Sequence, residues 1–191
     1  MTTRLEFLCS ASTAGLRAAA FPADDPLDLK GRTALARLAG GLARYDRILC
    51  SPAVSARETA GGLELAASPE PALRDCDFGR WAGRPLAEIE ALEPEALGLW
   101  LSDPEASPHG GESFAEVMIR VAEWMDALPE NSGAILAITH AAVLRAAIVR
   151  ALGAPTLSLL HIDVAPLGRA RLARAHGVWR FSALVPVKLS R

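Results

Sequence analysis

Two short apolar runs, each stopping at small polar residues, constrain the fold of this chain more than any other feature. Residues 4–13 read RLEFLCSAST and residues 134–145 read AILAITHAAVLR. In both, the composition of a buried strand gives way abruptly to Cys, Ser, Thr or His, and then to alanine-rich, helix-compatible sequence. Strands that end this way run into βα loops, and in an open α/β sheet chemistry collects at the carboxyl ends of the strands. Attention therefore falls on Cys9, Ser10 and His140, which meet if the two strand ends lie side by side.

The rest of the chain supports the same alternation. Residues 14–25 form an alanine-rich loop, and 27–45 read as a helix with Leu35, Leu38, Ala39 and Leu42 on one face. Gly40-Gly41 weakens the last turn of that helix. Residues 46–50 are a second strand. Ser51-Pro52 reads as an N-cap with proline at the first position of a helix running to about Ala66. Residues 71–75 are a third strand, and 77–108 depart from the alternation with two short helices, near 87–91 and 94–101. Trp81 and Trp100 cover the core or the pocket rim. Ser113 and Glu116 form a capping box for a helix with Phe114, Val117, Met118, Val121 and Met125 on one stripe. Residues 134–139 are the most deeply buried strand, followed by a helix over 141–152. Strands at 157–164, 169–175 and 178–185 close the chain, the last two joined by a hairpin at His176-Gly177. The fold class is a three-layer α/β/α sandwich with a mostly parallel central sheet, in one domain spanning 1–191.

Composition narrows the function. Apolar residues are 51% of the 191, which excludes a disordered chain, and a net charge of -2 gives no general attraction to nucleic acid or a membrane surface. No long apolar run marks a signal peptide or a membrane span, since His140 and Arg145 interrupt the most apolar stretch. Three widely spaced cysteines, Cys9, Cys50 and Cys76, suit reduced thiols and a cytoplasmic setting. They lack CxxC spacing, so no metal site is expected, and the spacing of cysteine and arginine that a cysteine phosphatase needs is absent.

On one sheet edge the loops would gather Ser10, Ser12 and Thr13, then Ser51, Ser55 and Arg57, then Asp75, and finally His140 with Arg145. Hydroxyls, helix N-termini and arginines are the ingredients of an anion site, and phosphate is the obvious anion. The expected ligand is a small phosphorylated metabolite or inorganic phosphate or sulfate, with no cofactor.

Five motifs in order carry a family resemblance. Leu5 to Thr13 lies where the histidine phosphatase superfamily, the group of the phosphoglycerate mutases, writes an apolar strand followed by Arg-His-Gly and a polar pair ending in threonine. Pro26-Leu27 with Gly31 is similar to its PLT..G helix entry, and Ser51 to Ala60 (SPAVSARETA) to its SPL.RA..TA segment. Leu73 to Gly83 (LRDCDFGRWAG) resembles LRE.DFG.WEG. Gly110 to Ser113 matches GGES, and Thr139-His140 with Arg145 resembles [ST]HGG.IR. The resemblance implies a phosphoglycerate mutase-like fold. It also implies a chemistry in which a histidine after the first strand attacks phosphorus, two arginines and a second histidine hold the phosphoryl oxygens, and an acid protonates the leaving group.

On that alignment the nucleophile position is Ser10 and its neighbouring arginine position is Cys9. The glycine position is Ala11, and the second arginine position is Ser55, with Arg57 two residues on. His140 stands at the second histidine and Asp75 near the acid. The resemblance therefore points to a phosphomonoester hydrolase lineage with a degenerate, impaired site; the alternatives are a phosphatase active through compensating residues, or a non-catalytic module that binds a phosphorylated ligand or a partner protein. Ser10 is either a phosphate contact and substitute nucleophile or a small loop residue; Arg145 is either a site residue or a structural ion pair. Asp75 and Glu112 are the carboxylate candidates for the general acid, Glu112 otherwise reading as a loop carboxylate that stabilises the N-terminus of the Ser113 helix. His109, His161 and His176 match no catalytic motif and read as surface or structural.

Overall fold

The computed structural model describes residues 2–38 and 42–185. Its centre is a six-stranded sheet in the order β3-β2-β4-β1-β5-β6, built from β1 (Thr3–Cys9), β2 (Arg47–Cys50), β3 (Ser68–Pro69), β4 (Ala134–Thr139), β5 (Arg169–Ala175) and β6 (Val178–Val185). The first four strands are mutually parallel, and β5 and β6 add an antiparallel edge beside β1. His176 and Gly177, both at positive φ, turn the chain between those last two strands as the hairpin signal anticipates.

The helices are α1 (Ala14–Arg17), α2 (Leu29–Leu38), α3 (Val54–Gly62), α4 (Leu86–Leu92), α5 (Pro94–Ser102), α6 (Phe114–Ala127) and α7 (Ala141–Leu152). Two cores result from the period-two alternation of the strands. On one face Leu5, Phe7, Ile135 and Ala137 pack with α6 and α7; on the other Leu8, Leu136 and Ile138 pack with α2 and α3. Both faces of β1 and β4 are thus covered, which is why their sequences are apolar runs rather than alternations. Glu6 is the exception in β1. It is buried and accepts from Arg169 at 3.3 Å and Arg171 at 2.7 Å on the adjacent strand.

Several elements differ from the sequence reading. Residues 14–17 form a single helical turn because the Thr13 hydroxyl accepts from Leu16 N. Helix α2 is shorter than 27–45: Asp28 accepts from Gly31 N at its start, and Gly40-Gly41 falls outside the described residues. Helix α3 runs Val54–Gly62: the Ser51 hydroxyl accepts from Ala53 N at 3.2 Å as a cap would, but Ala53 itself is extended, and at the far end Glu64 at positive φ turns the chain out of the helix. The third strand is only Ser68–Pro69. Residues 71–73 instead form a 3-10 turn, opened by Pro71 and capped by the Glu70 carboxylate on Ala72 N. The strand expected over 157–164 is also a 3-10 turn, Thr156–His161, whose Leu159 is buried. The capping box at Ser113 and Glu116 is present, with bonds of 3.2 and 2.8 Å.

The excursion after β3 folds around an aromatic cluster. Phe21, Phe78, Trp81, Trp100 and Phe114 stack in tilted and edge contacts with centroids 4.4–6.2 Å apart, and Trp81 is wholly buried. His109 sits inside this cluster rather than on the surface. Its Nδ1 accepts from Gly111 N at 3.0 Å, and its buried Nε2 has no hydrogen-bond partner among the described residues. Burial holds its pKa below the ordinary histidine value.

Candidate active site

Strands β1 and β4 are hydrogen-bonded neighbours in register, with Cys9 opposite Thr139. The next residues, Ser10 and His140, therefore leave the sheet side by side, and Ser10 N donates to Thr139 O at 2.7 Å. His140 is the N-cap residue of α7. Its Nε2 lies 2.8 Å from Ser51 Oγ, at the end of β2, and its Nδ1 is 3.6 Å from Asp75 Oδ2.

Asp75 reaches this point because its segment is pinned from two sides. Thr139 Oγ1 donates to Leu73 O at 2.6 Å, and Arg120 of α6 donates to the carbonyls of Ala72, Arg74 and Asp75 at 2.7–3.3 Å. Glu112 accepts both Arg120 Nε and Nη2 at 2.9 Å and also pairs with Arg74 at 2.6 Å. Glu112 is thus an anchor for three arginine contacts and lies outside the cavity lining. Gly111 permits this seam, since a Cβ there would stand 2.0 Å from Asp77 O.

The loop 10–13 is fixed by backbone. Ala11 N donates to Thr59 Oγ1 at 3.0 Å, and that hydroxyl donates to Ser55 O at 2.7 Å. Gly31 lets α2 press on the loop, because a Cβ there would meet Ser12 O at 2.3 Å.

These elements enclose a cavity of about 80 Å³ lined by Cys9, Ser10, Thr13, Ser55, Asp75 and His140, with Leu16, Val164 and Pro166 as apolar walls. It adjoins an outer chamber of about 400 Å³ that shares Asp75 and His140 and adds Asp24, Arg74, Asp77 and Phe78. Of the nine residues singled out from the sequence, six line the inner cavity. The other three are elsewhere. Ser12 donates to Asp28 at 3.1 Å; Arg57 is exposed on α3; Arg145 donates to Ile162 O at 2.7 Å. Arg17 pairs with Asp28 at 2.6 Å.

No lysine or arginine is among the described residues lining the inner cavity. The Cys9 thiol is pushed up to about 12, chiefly by burial and further by the nearby Asp75 carboxylate, with Arg145 acting in the opposite sense. It is a protonated, inert thiol at neutral pH. Ser10 and Ser55, 9% and 6% exposed, present hydroxyls that have no hydrogen-bond partner among the described residues. The outer chamber was not foreseen as acidic, and Asp24 and Asp77 could have been found only by knowing which loops converge. Among the described residues no cluster of His, Cys, Asp and Glu suits a metal ion, and no helix is long and apolar enough to cross a membrane.

With this geometry in place, comparison with known proteins is decisive. The profile of the histidine phosphatase superfamily (branch 1) matches residues 15–185. The chain belongs to that superfamily. The matched span begins after the Cys9–Thr13 loop. Relatives of this superfamily member include the bifunctional protein Rv2228c of Mycobacterium tuberculosis, 32% identical over 139 residues that are 69% of this chain and 37% of that protein. The adenosylcobalamin/alpha-ribazole phosphatase of Salmonella typhimurium is 32% identical over 129 residues, 64% of each chain. The chain thus spans less than two thirds of the length of either relative. Among solved structures, mycobacterial glucosyl-3-phosphoglycerate phosphatase in complex with VO3 superposes with a TM-score of 0.80 at 26% identity, covering 94% of this chain and 96% of that one. The fold of this superfamily member is accordingly that of the phosphoglycerate mutase-like phosphatases.

Proposed function

We propose that this chain is a histidine phosphatase superfamily protein in which phosphoryl transfer is impaired and the cavity persists as a binding pocket. The observation that carries this reading is the absence of any lysine or arginine among the described residues lining the inner cavity. On the motif alignment, Cys9 and Ser55 occupy the two arginine positions and Ser10 the nucleophile position. A phosphoryl group arriving there meets hydroxyls and a neutral thiol beside a carboxylate. Bidentate guanidinium contacts to its oxygens have no substitute in Cys or Ser.

The loss extends to the covalent step. A serine hydroxyl attacks phosphorus poorly unless a base takes its proton. His140 and Asp75 remain at the positions of the second histidine and the acid, so proton transfer is the part of the chemistry that survives best. Removing the nucleophile of a catalytic unit costs on the order of 10⁶ in turnover in a serine protease.

One observation favours a second reading, an active phosphatase that uses Ser10. The Ser10 hydroxyl has no partner among the described residues and leaves the sheet beside His140, which in turn faces Asp75. Turnover of p-nitrophenyl phosphate separates the two. The unmodified protein is expected to show little activity, and the Ser10→His, Cys9→Arg, Ser55→Arg triple variant to gain it. Strong activity of the unmodified protein, abolished by Ser10→Ala, would overturn the impaired reading in favour of the second.

A further inference from the structure

The polarity of the cavity points to a ligand of the opposite charge to phosphate. Its one carboxylate, Asp75, uses Oδ1 to accept from Cys76 N at 2.9 Å, while Oδ2 stands 3.6 Å from His140 Nδ1, beyond a hydrogen bond. Oδ2 therefore has an acceptor site open toward the cavity. Ser10 and Ser55, each nine-tenths or more buried, add hydroxyl oxygens with no partner among the described residues. Both residues line the cavity, and the hydroxyl lone pairs suit an N–H donor. The outer chamber extends the same sign. Asp24 and Asp77 each satisfy one carboxylate oxygen on a backbone N–H, of Val54 and Gly79, and its described lining sets Asp24, Asp75 and Asp77 against the single guanidinium of Arg74, which shares Glu112 with Arg120. A ligand that passes this vestibule enters a field that repels dianions and attracts cations.

Resting on the reading that phosphoryl transfer is impaired, we propose that the pocket binds the ammonium group of a small primary amine. The nitrogen donates to Asp75 Oδ2 and to the Ser10 and Ser55 hydroxyls in the inner cavity, and a compact apolar body lies in the outer chamber against Pro22, Pro52 and Phe78. An inner space of about 80 Å³ admits a head of ammonium size and little more.

The test uses three probes that share one body: benzylamine, benzyl alcohol and benzyl phosphate, titrated into the full chain and followed by amide NMR shifts. Benzylamine is expected to bind at least about tenfold more tightly than the other two, the scale of a single charge-assisted hydrogen bond. Asp75→Asn should remove that preference, and Ser55→Arg should invert it toward benzyl phosphate while preserving the fold by circular dichroism. Equal or tighter binding of benzyl phosphate by the unmodified protein, an amine preference unchanged in both variants, or no binding of benzylamine would each overturn the proposal. Measurement of p-nitrophenyl phosphate turnover on the same sample keeps the two readings apart. No turnover with no amine binding sinks the amine proposal alone, whereas brisk turnover sinks the impaired-site reading beneath it.

Discussion

The arginines of this molecule are concentrated at one place and missing from another, only a few residues away. Around Glu112 two guanidiniums, Arg74 and Arg120, converge on a single carboxylate, and Arg120 also collects three backbone carbonyls. In the cavity on the other side of the Asp75 segment, hydroxyls stand without partners and no guanidinium is among the described lining. The first region is saturated with hydrogen bonds and the second is left open. Scaffolding positions are constrained by every group they touch, whereas the lining of a cavity is constrained chiefly by its shape and by what it binds.

The sharpest way to break the contrast is Arg120→Ala. It leaves Glu112, whose side chain is only 12% exposed, with Arg74 and Asp77 N as its remaining partners, and unpairs the carbonyls of Ala72, Arg74 and Asp75. Urea denaturation should show a loss of about 2–4 kcal/mol. A smaller loss would mean that the anchor is replaceable and the contrast overdrawn.

Alkaline titration sharpens the cavity side. The Cys9 thiol has a folded pKa raised from 9.0 to about 12, so above pH 9 the unfolded chain loses a proton that the native one keeps. The native state then binds more protons, and stability must fall as pH rises from about 9 towards 12. Iodoacetamide should leave Cys9 unmodified in the folded protein at pH 8 and modify it after unfolding; rapid labelling of folded protein would show an open, activated thiol instead.

His109 gives the mirror image at acid pH. Its folded pKa lies below the ordinary 6.5, so below that value the unfolded chain takes up a proton that the buried ring refuses. Stability contributed by the neutral ring is present above 6.5 and is lost as pH falls. Melting curves between pH 7 and 5 should show this decline, and His109→Asn should flatten it; an unchanged slope in the variant would assign the decline to other groups.

The smallest effect is expected at the centre of the cavity. Ser10→Ala removes a hydroxyl without a partner among the described residues and should change stability by no more than about 0.5 kcal/mol. A loss comparable to that of Arg120→Ala would mean that the β1 loop is held by its side chains after all.

Much of this was legible in the sequence because the signals were strong and local. The apolar runs at 4–9 and 134–139, the capping box at Ser113 and the hairpin at His176-Gly177 each follow from period, cap or turn chemistry, and the family motifs placed His140, Asp75 and Ser10 in one region. What the sequence hid were decisions made by tertiary partners. Ser51 looked like a helix cap, and its hydroxyl does accept from Ala53 N, yet the extended backbone at Ala53 delays α3 to Val54 and the same hydroxyl lies 2.8 Å from His140 Nε2. Residues 71–75 and 157–164 have strand-like composition but curl into 3-10 turns, one capped by Glu70 and the other lodged against α7. Arg57 and Arg145 carried the expected charge, but one points to solvent and the other caps a carbonyl. Spacing along a chain does not reveal which way a guanidinium turns.

The relay from Ala11 N through Thr59 Oγ1 to Ser55 O has a last implication. It clamps the rim of the pocket through main-chain atoms and one threonine, none of which is a side chain at position 9, 10 or 55. The socket keeps its outline whatever is plugged into those three places. A lineage carrying it can exchange one guest for another without first having to rebuild the housing.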